Sequence, residues 1–211
     1  MKKHLFLFLL FSTFCFGQER TDYLEEGNRL LSENKPQKAE QVFLKALETA
    51  PDDLIFQSQL ALSLMDQEKN EKAQTILNGI LKKDPANTAA LWYSGINQYT
   101  RSEPKFKEAL LYFQKAAVFI DETSPQFYAV NYFIGHSYKK LLYTEGLSYN
   151  EVDQMLAALT IYKQSVTGTS EEEKMQKFID KIKTQRPPEN VAKWLITTAD
   201  RYEKTLQNVI K

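Results

Sequence analysis

The sequence is short of the residues that most often carry chemistry. It has one cysteine, Cys15, and two histidines, His4 and His136, in 211 residues. A lone thiol makes no disulfide within the chain, and one imidazole outside the N-terminal segment completes neither a metal site nor a catalytic triad. Glycine and proline number seven each, too few for low-complexity linkers. The glycines are scattered singly, with no Gly-x-Gly-x-x-Gly and no phosphate loop, so no nucleotide or other cofactor is implied. Neither charge sign is in excess. The 27 basic residues balance 27 acidic ones, which leaves no basic field for nucleic acid and no acidic solvating tail. Carboxylates cluster at Asp52-Asp53 and Glu171-Glu172-Glu173, where a turn and a helix start account for them through the helix dipole and solvent. The residues therefore point away from an enzyme.

What is present begins with an apolar N-terminus. Met1-Lys2-Lys3-His4 precedes Leu5-Phe6-Leu7-Phe8-Leu9-Leu10-Phe11, and Ser12-Thr13-Phe14-Cys15-Phe16-Gly17 follows. A charged start, a short apolar stretch and a small residue at the cut are the grammar of a secretory signal peptide over residues 1–17. The apolar run is about a dozen residues, short of the roughly 20 that a spanning helix needs. The expectation is an exported chain, periplasmic or secreted, with no transmembrane span once residues 1–17 are gone. Bacterial lipoprotein processing sites resemble a Leu-small-small-Cys pattern, and bulky Phe14 before Cys15 departs from it, which speaks against lipidation at Cys15. Cleavage near Gly17 also removes the cysteine, so an oxidising compartment costs the mature chain nothing.

An internal repeat organises the rest. Gly27, Ala39, Phe43, Ala46 and Pro51 are followed, 34 residues later, by Ala61, Ala73, Leu77, Ile80 and Pro85. Gly95 falls in step again, and the pattern then stretches by two residues before Ala109, Phe113 and Ala116, because Ser102-Glu103-Pro104-Lys105 enlarges the turn. A fourth unit is read through Gly135, Tyr138, Ala158, Tyr162 and Ser165, with an inserted loop around Tyr143 to Glu151. Small residues let paired helices approach closely, and large ones fill the space between stacked units. Pro51 and Pro85 stand where the second helix must stop.

These positions resemble the tetratricopeptide repeat, in which helices A and B of each unit form an antiparallel pair and the period is 34 residues. The resemblance implies an all-α fold: a right-handed superhelical solenoid of helix-turn-helix units with C-terminal capping helices. Four units are expected over 20–53, 54–87, 88–123 and 124–167, followed by a helical cap over 168–211. In the cap, Ser170-Glu171-Glu172-Glu173 has the spacing of a capping box and opens a helix to about Lys183, with Met175, Phe178, Ile179 and Ile182 on one face. Arg186-Pro187-Pro188 ends it. A last helix is expected from Glu189, carrying Val191, Trp194, Leu195, Thr198, Tyr202, Leu206 and Val209 at three- and four-residue steps.

The resemblance also implies a functional surface. In such arrays the second, fifth, ninth and twelfth places of helix A face a concave groove. Here these are Leu24, Asn28 and Leu31; Ser58, Leu62 and Met65; Trp92, Ile96 and Tyr99; and Tyr132, His136 and Lys139. Members that clamp the C-terminal carboxylate of chaperones use Lys, Asn and Arg in this groove. Only Asn28 matches, with Leu24, Gln59, Ala89 and Tyr93 in the other places, which argues against that ligand. The apolar, aromatic set instead suits a protein or peptide segment, since aromatics supply anchoring area. The alternative is a structural or self-associating protein whose groove is filled by its own C-terminal helix.

Overall fold

A computed structural model describes residues 20–197; the expected signal peptide and residues 198–211 lie outside the described residues. Helices follow one another as α1 (20–32), α2 (Pro36–Thr49), α3 (Leu54–Met65), α4 (Asn70–Lys83), α5 (Thr88–Thr100), α6 (Phe106–Ala117), α7 (Pro125–Thr144), α8 (Tyr149–Gln164) and α9 (Ser170–Gln185). The fold is all-α, and the described residues contain no strand, only one isolated antiparallel bridge between Leu147 and Trp194. The chain forms two compact units, divided inside α5 between Tyr93 and Ser94.

The repeat is legible in the backbone bonds of the turns. Lys35 N–H donates to the Leu30 carbonyl at 2.8 Å, Lys69 to Leu64 at 2.9 Å, and Lys105 to Gln98 at 2.8 Å. The three acceptors are in strict 34-residue step, and the third donor falls two residues late, as the enlarged Ser102–Lys105 turn requires. Each donor's carbonyl then starts the next helix by accepting from Ala39, Ala73 or Ala109. The turns after α1 and α3 pass through left-handed residues at equivalent places, Asn34 (φ 56°) and Glu68 (φ 60°).

In the first unit, Phe43 has no exposed surface and its ring occupies the space a Cβ at Gly27 would need. Leu30, Ala39, Ala46, Phe56, Leu60, Ala61, Leu64, Ala73, Leu77 and Ile80 complete the core. Burying one such large side chain contributes about 1.5–3 kcal/mol. Asp53 caps α3, accepting from Ile55 N at 2.8 Å and Phe56 N at 3.2 Å, and its other oxygen accepts from Arg20 Nε at 2.7 Å. Burial works against the Asp53 charge, but these donors outweigh it and hold the carboxyl below its usual range.

In the second unit, α6 packs on α7, α7 on α8, and α8 on α9. Gly95 meets the Phe113 ring as Gly27 meets Phe43, with 2.5 Å left for a Cβ. The fourth repeat departs from the expected register. Gly135 faces Leu159 rather than Tyr162, so the buried spine runs through Met155 and Leu159, both with no exposed surface, while Tyr162 stays half-exposed. The cause is the length of α7, which has 20 residues against 12 in α3 and 13 in α5. The insertion expected as a loop is taken up as helix at both ends, leaving only residues 145–148 as a link. Ser148 opens α8 with a reciprocal capping box to Glu151, with Glu151 Oε2 accepting from Ser148 N at 2.7 Å. No capping box centred on Ser170 forms; Thr169 caps α9 by accepting from Glu172 N at 3.3 Å. Met175, Ile179 and Ile182 are buried on α9 as its pattern requires.

The expected helix from Glu189 is not present within the described residues, because 187–197 run as a non-helical strap. Pro187 and Pro188 remove two N–H donors. The N–H and C=O of Trp194 are both taken by Leu147, at 2.7 and 2.9 Å, which leaves neither for an i to i−4 bond. Ile196 N–H then donates to the Leu142 carbonyl at 3.1 Å. At the start of the strap, Arg186 donates to Asp153 Oδ1 at 2.6 Å and to the Tyr149 carbonyl at 2.7 Å, and its guanidinium lies 3.2 Å from the Tyr149 ring centroid.

Candidate functional site

The helix-A residues named from the sequence fall into two sets, one in each compact unit. In the first, Leu24, Leu31 and Met65 are half-buried and pack against the core of Phe43 and Leu60. Leu62 and Trp92 are half-buried and Asn28 is exposed. Ser58 is 4% exposed, and its hydroxyl donates to the Leu54 carbonyl at 2.7 Å. Its small size serves helix packing, and it is withdrawn from any contact surface.

The second unit holds the denser arrangement. Tyr99 on α5 sets its ring edge-on to Phe106, Phe113 and Phe133, with centroids 5.4, 6.5 and 5.2 Å away. Beside Phe133, Tyr132 stands at a right angle, 5.1 Å away. One turn along α7, His136 stacks on Tyr132 at 4.0 Å, and Tyr162 from α8 meets Tyr132 edge-on at 4.8 Å. The spacing of four residues on α7 creates the Tyr132–His136 stack, since i and i+4 share a helix face. Edge and offset ring pairs contribute about 0.5–1.5 kcal/mol each beyond their burial. Tyr162 was not among the residues picked from the sequence, which placed it in the spine. Met155-x-x-x-Leu159-x-x-Tyr162 repeats the spacing of Ala39, Phe43 and Ala46, and that match was the available signal.

The polar ends of this cluster are unspent. Tyr99, Tyr132 and Tyr162 donate to no side chain or carbonyl among the described residues, and Tyr132 lies close enough to perturb the other two. Burial raises the pKa of Tyr99 and Tyr162, so these two remain protonated donors at neutral pH. His136 Nδ1 is 3.0 Å from the Tyr132 carbonyl, which assigns the proton to Nδ1 and leaves Nε2 an acceptor. Burial lowers the His136 pKa against the opposing effect of that bond, so the ring is neutral at pH 7. Lys139 places its ammonium 4.4 Å over the Phe178 ring of α9, and burial lowers its pKa as well. Ile96 is half-buried on α5.

This set of groups suits recognition. Among the described residues, three phenols, one imidazole and one ammonium stand beside aromatic rings, and no carboxylate is hydrogen-bonded to the imidazole. Among the described residues no three His, Cys, Asp or Glu side chains gather to hold a metal ion. No described helix is long and apolar enough to cross a membrane.

Comparison with known proteins agrees with the repeat. The tetratricopeptide repeat family model matches residues 30–93. No curated protein matches the sequence. MamA from Desulfovibrio magneticus RS-1, from residue 41 to its end, is similar in structure with a TM-score of 0.59 at 15% identity, over 90% of this chain and 94% of that one. A MamA RS-1 double mutant gives 0.58 at 15% identity, over 90% and 93%. A tetratricopeptide repeat protein from Parabacteroides merdae gives 0.57 at 14% identity, over 79% and 61%. At these identities the likeness is one of fold. Residues 30–93 thus match the tetratricopeptide repeat, and the chain shares the helical-repeat fold of these structures, with α7 lengthened to 20 residues.

Proposed function

We propose that the protein is a non-catalytic interaction scaffold, exported to the cell envelope, that docks a protein segment on the helix-A faces of its repeats. Repeat proteins of this family bind protein partners, and fold alone fixes nothing further. The observation that carries the finer reading is the cluster of Tyr99, Tyr132, His136 and Tyr162. Its rings are half-exposed while its hydroxyls and imidazole Nε2 lack partners among the described residues. Rings supply apolar area at small entropic cost, and the phenols offer hydrogen bonds to the backbone of an incoming peptide. Leu62, Met65 and Trp92 offer apolar area of the same kind in the first unit. Export rests on the pattern of residues 1–17.

The test is recovery of a partner from the native envelope fraction, comparing the parent with Trp92→Ala/Tyr132→Ala. Docking predicts that the double variant stays folded by circular dichroism and loses the partner. Equal recovery by both proteins, or loss of fold without a change in what is bound, would contradict it.

A further inference from the structure

We propose that the segment docked on the second unit is extended and acidic, and that Lys139 receives the carboxylate of an Asp or Glu side chain within it. The inference rests on the docking reading above and names the chemistry of the partner.

The hydroxyls decide the conformation. Tyr99 and Tyr162 are half-buried, and their hydroxyls donate to no group among the described residues. A helical segment brings carbonyls already spent on its own N–H groups, whereas an extended one has carbonyls free to accept from phenols.

Lys139 decides the charge. Its ammonium lies 4.4 Å over the Phe178 ring and donates to no carboxylate among the described residues. Lys140 and Glu171 act on it with opposite signs, so together they leave its charge unmatched. Holding a half-buried ammonium away from water costs free energy that a charge-assisted bond to a carboxylate offsets. Rings border the ammonium from two helices: Phe178 on α9 and, one turn back on α7, His136, whose protonation Lys139 opposes. A chain terminus placed at Lys139 would cover one of these flanks and leave the other bare, so the carboxylate belongs to an internal side chain. Tyr132 precedes Lys139 by seven residues, about 10 Å at helical rise. An extended segment rises about 3.3 Å per residue, which sets an apolar anchor on Tyr132 about three residues from the acid.

Peptide display against the full chain tests the proposal. Random dodecapeptides, fused at their C-termini so that every carboxylate is a side chain's, are selected on the parent. Binders that a folded Tyr132→Ala variant releases are kept. The proposal predicts that an Asp or Glu recurs in them about three residues from an apolar position. The amidated consensus peptide should bind Lys139→Met at least about tenfold more weakly than the parent. Lys139→Glu should prefer the peptide in which that acid is replaced by Lys, an exchange that lost packing alone does not produce. Lys139→Gln serves if Lys139→Met fails to fold. Tyr132-dependent binders that carry no recurrent acid, or that bind the parent and the Lys139 variant alike, overturn the proposal and leave the docking reading standing. Absence of any Tyr132-dependent binder overturns both.

Discussion

Gly135 and Leu159 touch so closely that a Cβ on the glycine would lie 2.5 Å from Leu159 Cδ2. That contact fixes the register of α7 on α8. It puts Leu159 in the place that Phe43 and Phe113 hold in the first and third units, and it turns Tyr162 outward to meet Tyr132 and His136.

Glycine therefore has opposite value at different sites in this chain. A Cβ at Gly95 would meet the Phe113 ring at 2.5 Å, whereas Gly79, within α4, has nothing within 4 Å. Gly95→Ala and Gly135→Ala should each lower stability by about 1–3 kcal/mol through overpacking. Gly79→Ala should raise it by about 0.5–1 kcal/mol by removing backbone freedom. Urea unfolding of the three variants checks both signs; equal effects at all three sites would show that close helix approach does not depend on these glycines.

The 34-residue spacing was legible in the sequence because each repeat position answers to packing: Gly27 against Phe43 and Gly95 against Phe113 are local pairs of a small and a large residue. The late Lys105 bond likewise reflects a countable insertion. The fourth unit was misread because the extra residues lengthen α7 instead of looping out, and spacing alone does not tell an added helical turn from a loop. Leu141 and Leu142, both buried, continue the apolar pattern of α7 past Lys140 and were the physical sign. The terminal strap was misread for a different reason. Trp194 and Leu195 fit a helical period, but Pro187-Pro188 and the backbone of Leu147 compete for the same residues, and the second of these is a tertiary contact. On the candidate face, Ser58 was chosen by place in the repeat, and Tyr162 was missed through the same register error.

The corrected register separates two residues that the sequence treated together. Leu159 has no exposed surface, so Leu159→Ala should cost about 2–5 kcal/mol. Tyr162→Ala removes an edge contact from a half-exposed ring and should cost about 1 kcal/mol. Thermal melting of both variants is decisive. A larger loss at Tyr162 would return the spine to that residue.

His136 makes the face sensitive to acid. Its folded-state pKa lies below the ordinary 6.5 through burial, so the unfolded chain binds the proton first. Stability from the neutral ring is fully present above about pH 6.5. It falls as the pH drops below that value and levels off once the folded-state pKa is passed. Lys139 and Lys140 add to the cost of the charged ring, and Glu171 offsets part of it. Melting curves from pH 7.5 to 5 should show a larger fall for the parent than for His136→Gln, the carboxylates being common to both. An identical fall in the two proteins would refute a depressed imidazole.

The central claim is that a protein segment docks on the aromatic face of α5, α7 and α8. A photo-crosslinking residue in place of Tyr132 tests it most directly, with Leu111, an exposed position on α6 at 58%, as the control. In cells of the native source, the account predicts a discrete protein adduct from position 132 and none from position 111. Adducts of equal yield at both positions, or at position 111 alone, would contradict it.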